Sequence, residues 1–134
     1  MTTVVNFELA KLLKEKGFEE TSQKWYSTEG SHYYQDEFSN NRGSVPSYCC
    51  EAPTIAEIVM WLYEKHGIWI SVDWMSRTKP YNSGFYCHLR GTNKYLNQDN
   101  FIVINDTLEP GYEVFNLPTK AYEAAIEYTL KELI

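Results

Sequence analysis

The amino-acid sequence predicts an α+β domain with two layers, in which an antiparallel sheet carries helices mainly on one face. Three observations support this class: a capped helix followed by an alternating strand over residues 52–74, a second alternating strand over 84–90, and an apolar helical stripe over 119–133. The predicted order of elements is α-β-β-α-β-β-(β)-α. We expect a single globular domain over residues 1–134, since the chain shows no repeat, linker or low-complexity block.

The central segment, residues 52–74, predicts a helix and then a strand. Thr54 is a typical helix N-cap, and Glu57 three residues later completes a capping-box pattern. Gly67 supplies a residue that can adopt the left-handed conformation needed to end the helix. Residues 68–74 then alternate apolar and polar side chains, as in a strand with one buried face. The apolar residues that recur at helical spacing are Ile55, Ile58, Val59 and Leu62.

The first third of the chain predicts a helix, a hairpin and a loop. Asn6 can cap a helix over 6–16, and Gly17 can end it. Two aromatic-rich runs over 24–35 flank a turn at Gly30 and predict a β-hairpin with aromatic cross-strand pairs, Trp25 or Tyr26 facing Tyr33 or Tyr34. Residues 36–51 show no periodicity, so we expect a loop there and the least order of any internal segment.

The last third predicts two or three strands and a closing helix. Residues 84–90 alternate in the same way as 68–74, and we expect the two to pair in antiparallel fashion. The apolar run 101–104 predicts a short strand, and 112–115 a final edge strand. The stripe that predicts the C-terminal helix consists of Tyr122, Ala125, Ile126, Thr129, Leu130 and Leu133.

Composition and charge exclude several classes of function. The formal net charge is −6, from 12 basic and 18 acidic residues, and the basic residues are scattered. Nucleic-acid binding is therefore disfavoured, because it needs a basic surface that displaces counterions. An acidic chain is equally unsuited to an anionic membrane surface. The sequence shows neither a secretory signal nor an apolar run of membrane-spanning length, which predicts a cytoplasmic location.

The cysteines and histidines predict no metal site and no cofactor. An odd number of cysteines, 3, in a cytosolic chain argues against a disulfide framework, and we interpret adjacent Cys49 and Cys50 as small apolar residues or exposed thiols. Neighbouring residues of a regular strand point to opposite faces, so Cys87 and His88 cannot bind one ion together without a bulge. His66 falls in the last turn of the central helix, where the helix dipole favours a protonated ring that caps carbonyl groups.

One group of polar residues could carry chemistry on the sheet face that points away from the helices. If the apolar residues of 68–74 and 84–90 face the helices, then Asp73, His88 and Arg90 share the opposite face, with Trp69 and Tyr86 as aromatic walls. This face could bind a small molecule or use Asp73 and His88 as an acid/base pair. The alternative is an ordinary solvated polar face with cross-strand charge pairs.

The aromatic content, 16%, is high, and it has two explanations. Most of these rings can pack between sheet and helices, or some can form a surface patch that binds a partner. Trp61 illustrates the choice: it lies on a central helix with excess hydrophobicity, and it is either buried within the domain or part of a homodimer or partner interface.

Four stretches carry a resemblance to a known group of proteins. They are residues 9–18 (LAKLLKEKGF), the tyrosine pair 33–34, residues 52–72 (APTIAEIVMWLYEKHGIWISV) and residues 121–133 (AYEAAIEYTLKEL). The pattern resembles small proteins of phages, prophages and gut Bacteroidetes genomes. The shared motifs are caps, helix stripes and a strand, so the resemblance implies an accessory protein of phage-like origin and no particular activity.

Together these observations predict a non-enzymatic, cytosolic protein-interaction module. The alternative is a small-molecule binder or enzyme that uses the sheet face with Asp73, His88 and Arg90.

Overall fold

The computed structural model describes residues 3–30, 33–35, 47–91, 102–104 and 114–134, and for 33–35 and 102–104 it describes the backbone alone. Helices and antiparallel strands are both present, so the α+β class is confirmed. The chain divides into two compact units, Met1–Glu57 and Ile58–Ile134. The single domain over 1–134 stays a prediction. The elements in chain order are α1 (Phe7–Glu15), β1 (Lys24–Ser27), β2 (Tyr33–Gln35), β3 (Tyr48–Glu51), α2 (Ile55–His66), β4 (Ile68–Met75), β5 (Gly84–Gly91), β6 (Ile102–Ile104) and α3 (Pro118–Tyr128), which continues as a π-helical turn, Thr129–Leu133.

Helix α1 begins and ends where the sequence predicts. Asn6 caps it, because its side-chain Oδ1 accepts a hydrogen bond from the backbone N–H of Leu9 at 2.8 Å. Gly17 follows the helix with φ of 93°, in the left-handed region. Leu9 and Leu13 are buried, and the helix contacts β3.

The first sheet has the strand order β2-β1-β3, and both pairings are antiparallel. Trp25 lies opposite Tyr34 and Tyr26 opposite Tyr33, which confirms the predicted hairpin. The predicted loop over 36–51 is wrong for Tyr48–Glu51, which forms β3, while residues 36–46 lie outside the described residues. The sequence did not predict this strand, because a register shift in its pairing with β1 breaks the alternation of its side chains.

The N-terminal residues tie the start of α2 in place. The N–H of Val5 donates to the carbonyl oxygen of Pro53 at 3.1 Å, and the N–H of Ile55 donates to the carbonyl oxygen of Thr3 at 3.0 Å. The Tyr26 hydroxyl donates to the Val5 carbonyl at 2.7 Å. The backbone groups at this helix start therefore find partners.

The predicted capping residues of α2 are in contact. The hydroxyl oxygen of Thr54 accepts from the N–H of Glu57 at 3.2 Å and donates to the Glu57 carboxylate at 3.1 Å. This arrangement satisfies one of the free N–H groups of the first turn. Five side chains of the helix are buried: Ile55, Ile58, Val59, Trp61 and Leu62.

The second sheet has the strand order β4-β5-β6, again antiparallel. Strands β4 and β5 pair without interruption over eight residues each, which confirms the predicted pairing of 68–74 with 84–90. Helix α3 contacts all three strands, and its stripe is buried at Ala125, Ile126 and the π-helical Leu130. Buried residues of one sheet face are Ile68, Ile70, Cys87 and Leu89.

Two glycines allow the start of β4 and the end of β5 to approach closely. Gly67 ends α2 with φ of 68°, and its N–H donates to the carbonyl oxygen of Tyr63 at 3.0 Å. A Cβ atom on Gly91 would lie 1.8 Å from the Gly67 carbonyl oxygen. Backbone packs directly on backbone here, which only glycine at position 91 permits.

The remaining predicted strands are confirmed in part. Residues 102–104 of the predicted strand 101–104 form β6. Phe115 exchanges two backbone hydrogen bonds of 2.8 Å with Phe85, and residues 112–113 lie outside the described residues. None of the helices in the described part of the chain combines the length and apolar character needed to cross a lipid bilayer.

Candidate functional site

The pairing of β4 with β5 brings the polar candidates onto one face of the sheet. Trp69 lies opposite Arg90, and Asp73 lies opposite Tyr86. His88 lies opposite Ser71, between these two pairs. Directly opposed residues of an antiparallel pair point to the same side, so these side chains form one polar sheet face.

Asp73 and His88 are close enough to interact electrostatically. Asp73 Oδ2 lies 3.8 Å from His88 Nδ1, a distance longer than a hydrogen bond. The carboxylate is exposed, whereas the His88 side chain is only 11% exposed. The prediction of an open face is therefore wrong at His88.

Burial sets the protonation state of His88. Desolvation lowers the pKa of His88 below its ordinary value, the positive charge of Arg90 acts in the same direction, and the Asp73 carboxylate opposes them. A salt bridge would need the protonated ring, but burial is the largest of these influences, so we assign a neutral imidazole at pH 7. A neutral imidazole can accept a proton, which is what a general base requires.

Three further residues lie near this pair or interact with it electrostatically. The Tyr86 ring lies 5.8 Å from the His88 ring, at an interplanar angle of 32°. Arg90 is exposed. The sequence placed Tyr122 of α3 only in an apolar stripe. Its pKa is raised mainly by burial and to a smaller extent by the negative charge of Asp73.

A second surface feature consists of exposed apolar side chains at the junction of α2 and β4. Tyr63 is 54% exposed and Trp69 is 40% exposed, and their rings meet edge to face with centroids 5.6 Å apart. Met60, one helical turn before Tyr63, is also exposed. We call Met60, Tyr63 and Trp69 the aromatic patch.

Trp61 does not belong to this patch. Its side chain is 3% exposed. Of the two interpretations of Trp61, a surface binding residue is therefore wrong, and burial within the protein is correct. A helix turns by about 100° per residue, which separates Trp61 from the exposed Met60 beside it. The Trp61 ring packs edge to face on His66 at 5.0 Å. Burial lowers the pKa of His66, which opposes the protonated state that the sequence predicted; the capping of carbonyl groups by this ring stays a prediction.

Neither a search for metal-binding groups nor comparison with known proteins assigns a further function to the chain. Among the described residues, no group of three or more His, Cys, Asp or Glu side chains is arranged to hold a metal ion. The chain matches no protein-family model, and no curated protein and no solved structure is significantly similar to it.

Proposed function

We propose that this chain is a non-enzymatic, cytosolic protein-interaction module, and that it binds a partner protein through the aromatic patch of Met60, Tyr63 and Trp69. The observation that carries the proposal is the edge-to-face pair of Tyr63 and Trp69, in which both rings stay exposed. The sequence resemblance to phage and prophage proteins supports an accessory role of phage-like origin.

The composition of the patch favours a protein partner. Tyrosine and tryptophan are enriched among the residues that dominate binding energy in protein interfaces, and methionine is enriched in interfaces generally. Arg90, directly opposite Trp69 in the sheet, adds the third residue type that is common at such positions.

The geometry of the patch favours a preorganised surface. Tyr63 comes from a helix and Trp69 from a strand, and Gly67 joins the two elements in a tight turn. Each ring restricts the other, so little side-chain entropy is lost when a partner covers them.

Affinity capture from the native host, followed by mass spectrometry, tests the proposal. We expect a partner that is enriched by the wild-type chain and lost with Tyr63→Ala and with Trp69→Ala. With the purified partner, each substitution should weaken binding by at least about 30-fold, the effect of a residue worth about 2 kcal/mol. Tyr81→Ala is the matched control, because Tyr81 is an equally exposed aromatic residue outside the patch. Equal binding by all variants, or no partner together with turnover in a hydrolase screen, would refute the proposal.

A second candidate function uses the polar sheet face. The 3.8 Å approach of Asp73 to a neutral, buried His88 favours a small-molecule binder or an enzyme, with Arg90 as an anion contact and Trp69 and Tyr86 as stacking walls. Screening of small molecules by the histidine ring resonances of the chain tests it. Binding that shifts the His88 signals and disappears in Asp73→Asn would support this function, and a screen without such shifts would exclude it.

A further inference from the structure

Where β1 and β3 pair, the four residues Tyr48–Glu51 of β3 lie along only three residues of β1, Trp25 to Ser27. Tyr26 lies opposite Cys50, but the next residue, Ser27, lies opposite Tyr48, so Cys49 has no opposite residue on β1. The backbone hydrogen bond from Thr28 N–H to the Ser47 carbonyl, at 2.8 Å, continues the shifted register. Cys49 is therefore the extra residue of a β-bulge.

The bulge changes the side of the sheet to which Tyr48 points. Tyr26 and Ser27 are neighbours on β1 and point to opposite sides, so their partners Cys50 and Tyr48 also point to opposite sides. The Tyr48 ring accordingly lies 5.9 Å from Trp25, on the Ser27 side of β1. Cys49 must then share a side with one of its two neighbours.

The contact between the two thiols shows which neighbour that is. The Cys49 side chain is near enough to contribute to the raised pKa of the Cys50 thiol, so the bulge brings together two adjacent cysteines that a regular strand would separate. Cys49 is partly exposed and Cys50 is 1% exposed. Lys14 of α1 donates from Nζ to the Cys49 carbonyl oxygen at 2.5 Å and thus holds the backbone of the bulge.

We infer that Cys49 and Cys50 form a two-thiol site for trivalent, thiophilic metalloid compounds of the organoarsenical class. A trivalent arsenical R–As(OH)₂ condenses with the Cys49 thiol, forming one As–S bond and releasing one water. The Cys50 thiol then replaces the second hydroxyl group, forming the second As–S bond and releasing another water. No electron is transferred, and the product is a ring closed by Cys49–S–As(R)–S–Cys50.

The burial of Cys50 is compatible with this sequence of steps. Cys49 is reachable from solvent and captures the arsenical first, and the second thiol is already in contact with it. The second bond therefore forms within the molecule, at an effective concentration that favours the bridged product by about 100-fold or more over a single thiol. Burial is the main cause, and the neighbouring Cys49 a smaller one, that raises the pKa of the Cys50 thiol to about 12. Reagents that need a thiolate therefore react slowly at this residue.

Phenylarsine oxide is the probe, and intact-mass spectrometry of the folded chain is the readout. We expect one adduct per chain, with the mass of the reagent less one water, and its removal by 1,2-ethanedithiol but not by an equal concentration of a monothiol. Peptide mapping of the wild-type adduct should place both As–S bonds on the peptide that contains residues 49–50. An adduct that involves Cys87, an adduct held by one thiol, or no adduct on the folded chain would overturn the inference.

Substitution provides the second measurement. Cys49→Ser and Cys50→Ala should each weaken phenylarsine oxide binding by at least about 100-fold. Cys87→Ala is the matched control, since Cys87 is a buried cysteine of β5 and its removal should leave binding unchanged. Unchanged binding in either test variant would overturn the inference. The wild-type peptide map decides the question if a variant fails to fold.

Discussion

Replacement of Gly91 by alanine tests the close approach of β5 to the turn after α2. The added Cβ would lie 1.8 Å from the Gly67 carbonyl oxygen and 3.1 Å from the Ile68 Cα, whereas ordinary contact begins at 3.4 Å. Because the nearest atom belongs to the backbone, no side-chain rotation can relieve the overlap. The first pair of the ladder between β4 and β5, Ile68 with Gly91, must therefore separate.

The cost of this separation follows from the contacts it removes. One or two ladder hydrogen bonds contribute about 1 kcal/mol each. Partial exposure of Ile68, which is fully buried, adds up to about 1.5 kcal/mol. We expect Gly91→Ala to reduce the free energy of unfolding by about 2–4 kcal/mol, and to lower the urea midpoint by about 1–2 M.

Urea unfolding followed by tryptophan fluorescence measures the effect, since Trp61, Trp69 and Trp74 are three of the 4 tryptophans and all lie beyond residue 57. Gly17→Ala is the control: Gly17 also has a positive φ, 93°, but a Cβ there would meet no atom within 4 Å. That variant carries only the backbone strain, about 1 kcal/mol. If Gly91→Ala were no more destabilising than Gly17→Ala, the reasoning from close backbone contact would be refuted.

Three further predictions concern the cap, the buried histidine and the core. Thr54→Ala should lower the free energy of unfolding by about 1 kcal/mol through loss of the α2 cap, as measured by urea unfolding, while the exposed Thr78→Ala should change it by less than about 0.5 kcal/mol; equal effects would contradict the capping role. The lowered pKa of His88 means that the unfolded chain binds a proton first as pH falls, so this contribution to stability is complete above pH 6.5 and is lost as pH falls from 6.5 toward the folded-state pKa. Urea midpoints measured between about pH 5 and pH 8, which spans the titration range of histidine, should fall less steeply toward acid in His88→Gln than in the wild-type chain. Parallel curves for the two proteins would argue against a buried neutral ring. Leu89→Ala, at a fully buried position, should cost about 2–5 kcal/mol in thermal or urea unfolding, and a cost below about 1 kcal/mol would mean that this position is not part of a packed core.

The elements that the sequence predicts best are those with a local physical cause. Asn6 and Thr54 cap the helices that they were expected to cap, and Gly67 ends α2 with a positive φ. The pairing of β4 with β5 also follows from sequence, because two alternating strands can bury their apolar faces only in a matching register.

The features that sequence reasoning missed depend on contacts between distant segments. Strand β3 lacks alternation because its bulge re-phases Tyr48 relative to Cys50, so its strand character emerges only from pairing with β1. Alternation placed His88 on the correct face of the sheet but carried no information about what covers it. The burial of Trp61 likewise depends on packing that periodicity alone does not determine.

The hydrogen bonds between residues 3–5 and 53–55 have a consequence for the order of folding. During synthesis the N-terminal segment leaves the ribosome first, but its partners Pro53 and Ile55 emerge only after most of the first unit has been made. Forming these bonds closes a loop of about 50 residues, an entropic cost that only later contacts offset. The first unit therefore has a non-local step in its assembly, whereas the hairpin of β1 and β2 can form within its own short segment. The start of α2 becomes fully satisfied only when the two ends of the unit meet, which makes this closure a late event in folding.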